Sequence, residues 1–278
     1  MNPTPEIHNK LKVISFNLHG FNQGCSALND LIESVNPDIF MLQEHWLTPP
    51  NLNKFDIFTD YFTFGCSAMA KSVESGMLKG RPFGGVMIMV KNVLRKLTET
   101  IFCSDRCAIV RVANLLFMNI YLSCVGTNDR LLICHDLMTQ ILSFCDQFAN
   151  CEYVIAGDYN VNLDSSDCVA DYINDIISNH SLLRSDILFN KSSIATYVNT
   201  ALNHQSTIDY IVTSSIDSIA DFAVLDPDIN FSDHLPIMAV CKYIVTNDGR
   251  TDARTTNNCD SDNSLPVHYR WDHADLIA

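Results

Sequence analysis

The chain has 278 residues, 47% hydrophobic and 18% charged, a composition that excludes a disordered or fibrous protein. It carries 32 acids against 18 bases, a net charge of −14, which argues against a general polyanion-binding surface. Eleven cysteines show neither CxxC nor zinc spacing, and no apolar run approaches the length of a membrane helix.

Residues 12–18, KVISFNL, alternate and are β-branched, which predicts a strand. Leu28, Leu31, Ile32 and Val35 then recur at helical spacing over 25–35, and DIFMLQEHW at 38–46 reads as a second strand. Such a strand–helix–strand start predicts a right-handed crossover with parallel pairing. Segments 61–69, 85–91, 107–113 and 115–123 read as an antiparallel meander. A long helix is expected over 128–149, a strand over 152–160 and a helix near 166–180. Strands at 206–214, 222–226 and 234–244 complete a mixed two-sheet α/β sandwich. From about 245 the chain turns polar, so we expect a folded domain over 1–244 and a flexible tail over 245–278 ending YRWDHADLIA. Cys134, Cys145 and Cys241 lie in apolar runs and are expected as small buried hydrophobes. With no signal peptide, the expectation is a reduced, intracellular chain.

Polar residues interrupt the apolar strands at their ends. Asn17, Glu44, Tyr121, Asp158, Asn160, Asp209, Asp233 and His234 all occupy such places. Strand ends are where α/β sites collect. Carboxylates and amide oxygens are hard ligands that suit Mg²⁺ or Mn²⁺. A hard cation beside Asp, Asn and His suits hydrolysis of a phosphate ester. Taken singly, each residue also has a local reading. Asn17 and Gly157-Asp158-Tyr159-Asn160 fit turns, Tyr121 fits a core, and Ser232-Asp233 fits a cap. Glu44 is the hardest to explain locally, because an unpaired carboxylate in an apolar strand is costly. His19, His45, His135, His180 and His204 show no partner pattern and are assigned no site role.

Six blocks, SFNLHGF, QEHW, IYL, GDYN, STIDYI and SDHLP, span residues 13–240. In this order they resemble the endonuclease/exonuclease/phosphatase superfamily, which includes DNase I and the exonuclease-III-type apurinic endonucleases. The resemblance implies a four-layer α/β sandwich of two mixed β-sheets flanked by helices. GRPFGGVMIMVK, ATYVN with STIDYI, and the tail YRWDHADL are similar to segments of LINE-type non-LTR retrotransposon endonucleases. That implies a Mg²⁺-dependent DNA endonuclease, monomeric as an isolated domain. The chain would be an N-terminal piece of a polyprotein with a downstream reverse transcriptase. Nuclear access would be needed, although no basic targeting cluster is visible.

By the same resemblance, Glu44, Asn17 and Asp233 serve the metal, Asp158 activates water, and Asn160 orients it. Tyr121 contacts the phosphate, Asp209 pairs with His234, and His234 meets the scissile phosphate. Thr196 and Ser206 touch the DNA backbone. There are two departures. Leu-Ser-Cys follows Tyr121 where Pro is frequent, and Thr207 stands where a basic residue is frequent. Two alternatives stay open. One is the same fold acting as an exonuclease or on a phosphoinositide or sphingomyelin. The other is a decayed copy that binds without catalysis.

Overall fold

The computed structural model describes residues 8–76 and 80–244, which form two stacked six-stranded sheets. The expected tail at 245–278, and with it the 244/245 boundary, lies outside the described residues. Strands β1 (His8–Asn17), β2 (Ile39–Gln43), β3 (Tyr61–Cys66) and β4 (Val86–Lys91) begin the first sheet. Strands β5 (Thr98–Cys103), β6 (Cys107–Val112), β7 (Leu115–Tyr121), β8 (Glu152–Asp158) and β9 (Leu183–Arg184) belong to the second. A ribbon of β10 (Tyr197–Asn199) and β11 (His204–Ser206) follows. Then β12 (Asp209–Thr213) returns to the second sheet, while β13 (Ile219–Val224) and β14 (Ile237–Ile244) return to the first. The spatial orders are β13-β14-β1-β2-β4-β3 and β5-β6-β7-β8-β12-β9.

Helix α1 (Phe21–Ser34) makes the expected crossover, and β1 pairs parallel with β2. The only other long helices described are α3 (Arg130–Gln147) and α4 (Cys168–Asn179); the short α2 (Ala70–Glu74) and α5 (Ser185–Leu188) sit at loop positions. The inner faces of the sheets meet in one core, with Val13, Ile39, Met41 and Ile88 from the first and Val110, Phe117, Val154 and Ile211 from the second. The outer face of the first sheet, Ile14, Phe16, Phe40 and Leu42, packs on Leu28 and Leu31 of α1. The outer face of the second, Ile109, Met118 and Ile155, packs on Ile141 of α3 and Ile173 of α4. The layers are therefore α/β/β/α, the four-layer sandwich expected. Strands covered on both faces lose their alternation, which is why IFMLQ of β2 is buried throughout. Cys134, Cys145 and Cys241 are buried as expected.

Three expectations change. The meander divides between sheets, with β3 and β4 in the first and β6 and β7 in the second, where β5, which was not expected, pairs with β6. The strand expected over 38–46 stops at Gln43, because Glu44 and Trp46 adopt positive φ of 52° and 54°. The strand expected over 206–214 breaks at Thr207-Ile208 into β11 and β12, which lie in separate sheets.

One polar bridge crosses the inter-sheet core. The fully buried Gln43 of β2 donates through Nε2 to Oδ1 of Asn119 on β7 at 2.7 Å. Asn119 Nδ2 in turn donates to the carbonyls of Leu42 at 2.9 Å and Met87 at 3.1 Å. The Asn119 amide is satisfied at both ends, whereas Gln43 Oε1 is buried without a partner; a satisfied buried amide is tolerated and a half-satisfied one is costly. Asn119→Ala is expected to lower the unfolding free energy by about 1–3 kcal/mol, read from urea denaturation. A loss below about 0.5 kcal/mol, the level of an ordinary surface substitution, would show that the bridge contributes no stability.

Candidate active site

Strand pairing delivers the site. Asn17 and Gln43 are Cα partners at the ends of β1 and β2, and Glu44 follows Gln43. Tyr121 and Asp158 are partners at the ends of the parallel pair β7 and β8. Asp209, which begins the antiparallel β12, lies opposite Asp158 on its other side. Parallel strands point their carboxyl ends the same way, so both sheets present polar residues at one edge.

Asp158 is fully buried, and burial pushes its carboxyl up to about 7 despite the nearby His234. Asn17 Nδ2 donates to its Oδ2 at 2.8 Å, Asn160 Nδ2 donates to the same oxygen at 3.1 Å, and the Asn160 N–H donates to Oδ1 at 2.8 Å. Asn160 holds a positive φ of 52°, which turns its side chain back onto Asp158. Arg130 braces this loop, pairing with Asp167 and donating to the carbonyls of Asn160 and Ser123. Asp167 also caps α4 by accepting the Val169 N–H.

Glu44 is half-buried on the opposite flank. Its Oε1 accepts from the Tyr121 hydroxyl at 2.6 Å and from Asn17 Nδ2 at 3.3 Å, and its Oε2 accepts from Trp46 Nε1 at 2.7 Å. Burial and this carboxylate both push the Tyr121 hydroxyl up, keeping it a donor. Glu44 and Trp46 are held in left-handed backbone by what lies between them. His45 is fully buried, accepts the Leu47 N–H on Nδ1 and reaches the Cys66 carbonyl through Nε2 at 3.0 Å. Gly85, at φ 87°, leaves room for this ring, which a Cβ would strike. Non-glycine residues at positive φ cost free energy and persist where their surroundings over-determine them.

Neighbours in sequence, Asp233 and His234 take different partners. His234 is buried, with Nδ1 2.9 Å from Asp209 Oδ2. Its Nε2 lies 3.9 Å from both Asp158 Oδ2 and Asp233 Oδ1. Burial alone would discharge the ring, but Asp209 and Asp158 outweigh it and hold the pKa up at about 10. The Tyr197 ring packs edge-on against His234, centroids 5.2 Å apart. Asp233 Oδ1 instead lies 2.8 Å from Nδ1 of His19.

The eight expected residues Asn17, Glu44, Tyr121, Asp158, Asn160, Asp209, Asp233 and His234 therefore converge. A cleft of about 480 Å³ is lined by Glu44, Asn160, Asp233 and His234, and by Ser206 on the β11 side. Thr196 does not face it. It is 1% exposed, and its hydroxyl accepts the N–H groups of Ile208 and Asp209. The expected backbone contact is corrected to a brace that fixes Asp209. His19, given no role from sequence, lies in the cleft, and the adjacent Asp233 carboxylate raises its pKa. The available signal was its place two residues past Asn17 at the same strand end. Ser232 was also missed. Its hydroxyl donates to the Asn17 carbonyl at 2.8 Å and accepts the His234 N–H, tying the last loop to β1.

Two groups of donors are available to a cation. Asp158, Asp209 and His234 offer atoms within 4.8 Å of one another. Their lone pairs are largely committed to each other and to Asn17. Glu44, Asn17 and Asp233 offer an all-oxygen alternative, and Asp233 Oδ1 is a buried oxygen that meets His19 Nδ1 at 2.8 Å but accepts no well-aligned hydrogen bond. Such a donor set fits a hard divalent ion.

Residues 14–234 match the sequence model of the Endonuclease/Exonuclease/phosphatase family. No curated protein matches the chain. Among solved structures, a Neisseria 3′ phosphatase bound to product DNA hairpin superposes with a TM-score of 0.63 at 15% identity. That match covers 82% of this chain and 98% of the other. An AP endonuclease from Leishmania major gives 0.62 at 15% identity, covering 84% and 88%. An AP endonuclease from Archaeoglobus fulgidus gives 0.61 at 15% identity, covering 83% and 99%. These structures share the two-sheet sandwich, and the sequence match spans the strand ends that carry the site. The chain belongs to the endonuclease/exonuclease/phosphatase family.

Proposed function

We propose that this chain is a Mg²⁺-dependent DNA phosphodiesterase that nicks one strand and leaves a 3′-hydroxyl for target-primed reverse transcription by a LINE-type retrotransposon. The observation that carries this reading is a buried carboxylate near neutral pKa lying 3.9 Å from an aspartate-held histidine that lines the cleft. The DNA substrate is supported by the Neisseria structure, which is bound to a DNA hairpin. The retrotransposon setting is supported by the resemblance of GRPFGG and YRWDHADL, with residues 1–244 as the nuclease domain and 245–278 leading toward a reverse transcriptase.

Glu44, with Asn17 and Asp233, would hold the ion, and Mn²⁺ would replace Mg²⁺ in the same oxygen set. When bound, the ion offsets the negative charge that develops on the phosphate. Asp158 takes a proton from the attacking water, and a carboxyl poised near 7 suits that task. Asn160 orients the water. His234, held protonated and oriented by Asp209, presents its Nε2–H to the phosphate. Water adds to phosphorus, the bond to the 3′ oxygen breaks, and the departing 3′ oxygen takes up a proton from solvent. The products are a 3′-hydroxyl and a 5′-phosphate. Tyr121 contacts the phosphate while steadying Glu44, and Ser206 lines the path of the strand.

Purified protein with supercoiled plasmid and Mg²⁺ is expected to yield the nicked circle, and Glu44→Ala or His234→Ala to lose roughly 100-fold or more of that rate. Nicking by neither the wild-type protein nor a Mn²⁺-supplied one would sink the reading, as would equal nicking by the variants. Asp209→Asn separates two roles. It is expected to slow nicking by roughly 10–100-fold while the Mg²⁺-dependent rise in melting temperature persists. Loss of that rise in Asp209→Asn would mean that the metal roles of Asp209 and Asp233 are interchanged.

A further inference from the structure

A second cavity, of about 360 Å³, opens beside the catalytic cleft and shares His19 with it. Its walls come from the turn into α1, the exit of β2, the 3-10 helix Pro49–Ile57, and Arg81-Pro82. Small-molecule sites span roughly 300–1,000 Å³, so this one suits a single nucleotide rather than a duplex. The charge of its lining runs against that of the chain. With 32 acids against 18 bases overall, the cavity is lined by Lys54 and Arg81 and by no Asp or Glu. Both cations are exposed, and among the described residues neither makes an ion pair or a side-chain hydrogen bond. The neighbouring cleft, by contrast, carries Glu44, Asp167 and Asp233.

The cavity also holds a fixed aromatic surface. Trp46 is tethered by Nε1 to Glu44 and packs on His19 with ring centroids 4.7 Å apart. Gly20, at φ 96°, lets the chain pass where a Cβ would press on the indole. Side-chain amides of Asn22, Gln23 and Asn51 add donors and acceptors for a base edge. An aromatic face with cations and amides around it is the chemistry that takes an unstacked nucleotide.

We propose that this cavity is a nucleotide subsite. The base of a nucleotide beside the scissile phosphate stacks on Trp46, and its phosphate is held by Lys54 and Arg81. The subsite rests on the DNA phosphodiesterase reading. It gives GRPFGG a role in two parts: Gly84 accepts the Trp46 N–H at its carbonyl, and Arg81 supplies the charge.

The test is fluorescence anisotropy with a labelled oligonucleotide duplex in EDTA, across a salt series. Lys54→Ala/Arg81→Ala is expected to raise Kd about tenfold and to flatten the slope of log Kd against log salt by about 2. Lys10→Ala/Lys96→Ala is the control for lost charge, since Lys10 opens β1 and Lys96 follows β4, both at the end of the first sheet opposite Asn17. Equal effects of the two pairs would overturn the subsite, leaving only general electrostatics. Trp46 fluorescence, read in a Trp271→Phe background, should be quenched by the oligonucleotide. Quenching as tight by a free deoxynucleoside monophosphate would overturn a strand subsite in favour of a free-nucleotide site. Plasmid nicking separates the two failures. Binding with the expected salt change but no nicking overturns the phosphodiesterase reading alone. Nicking with unchanged Kd in Lys54→Ala/Arg81→Ala overturns the subsite alone.

Discussion

The hydrogen bond from Asn17 to Asp158, 2.8 Å long, joins the carboxyl end of β1 in one sheet to that of β8 in the other. A fully buried carboxylate without partners would cost several kcal/mol and would protonate instead. Asn17 and Asn160 supply the donors that keep Asp158 usable while burial keeps it basic. The same Asn17 amide leans on Glu44, so one side chain spaces two carboxylates at a fixed separation. Below it, Gln43 and Asn119 set the offset between the sheets. The site is therefore a property of the sandwich as a whole. A slide of either sheet by one residue would move every one of these polar groups to the wrong face or level.

The last loop completes the site by sending adjacent residues in opposite directions. His234 turns inward to Asp209, and Asp233 turns outward to His19. The result is two carboxylate–imidazole pairs, one buried and one half-exposed. The buried pair depends on backbone that is itself braced. Thr196 takes the Asp209 N–H on its hydroxyl, and its carbonyl takes the Leu235 N–H. Thus Thr196, which touches neither the cleft nor a reacting atom, holds both ends of the His234–Asp209 pair. Ser232 does the same for the entry to this loop by bonding Asn17 and His234.

Much of this was legible because strand ends announce themselves as polar residues after apolar runs, as in SFN, LQE, AGD and TID. What failed to show has physical reasons. Strand β5 is an edge strand with no buried residue and a bulge between Thr100 and Phe102, so it lacks the alternation that marks a half-buried strand. Thr196 was misplaced because a small polar side chain can serve backbone as well as ligand, and only its burial decides. His19 had no visible partner because Asp233 is more than two hundred positions away in the chain. The left-handed turn at Glu44 was hidden for a related reason: the Cys66 carbonyl, from β3, and Gly85, just before β4, which hold His45 between Glu44 and Trp46, lie far along the chain.

The acidic composition takes on a sharper meaning once the bases are located. Several are used within the fold. Arg184 pairs with Asp164 and Asp186, Arg130 with Asp167, Arg111 with Glu99, and Lys91 with Asp38. They hold loops and edges in place and add little to a field that a polyanion would feel. Among the described residues these four bases are committed to acids, in a chain whose net charge is −14. On the proposed reading, attraction for a phosphate backbone would come from a few cations placed where acids are absent, such as Lys54 and Arg81, and from a divalent ion held by Glu44, Asn17 and Asp233. Binding built that way is short in reach and strict in geometry. It would favour a strand already bent or opened at the cleft over one that merely approaches, because only then could a nucleotide and its phosphate reach both cavities together.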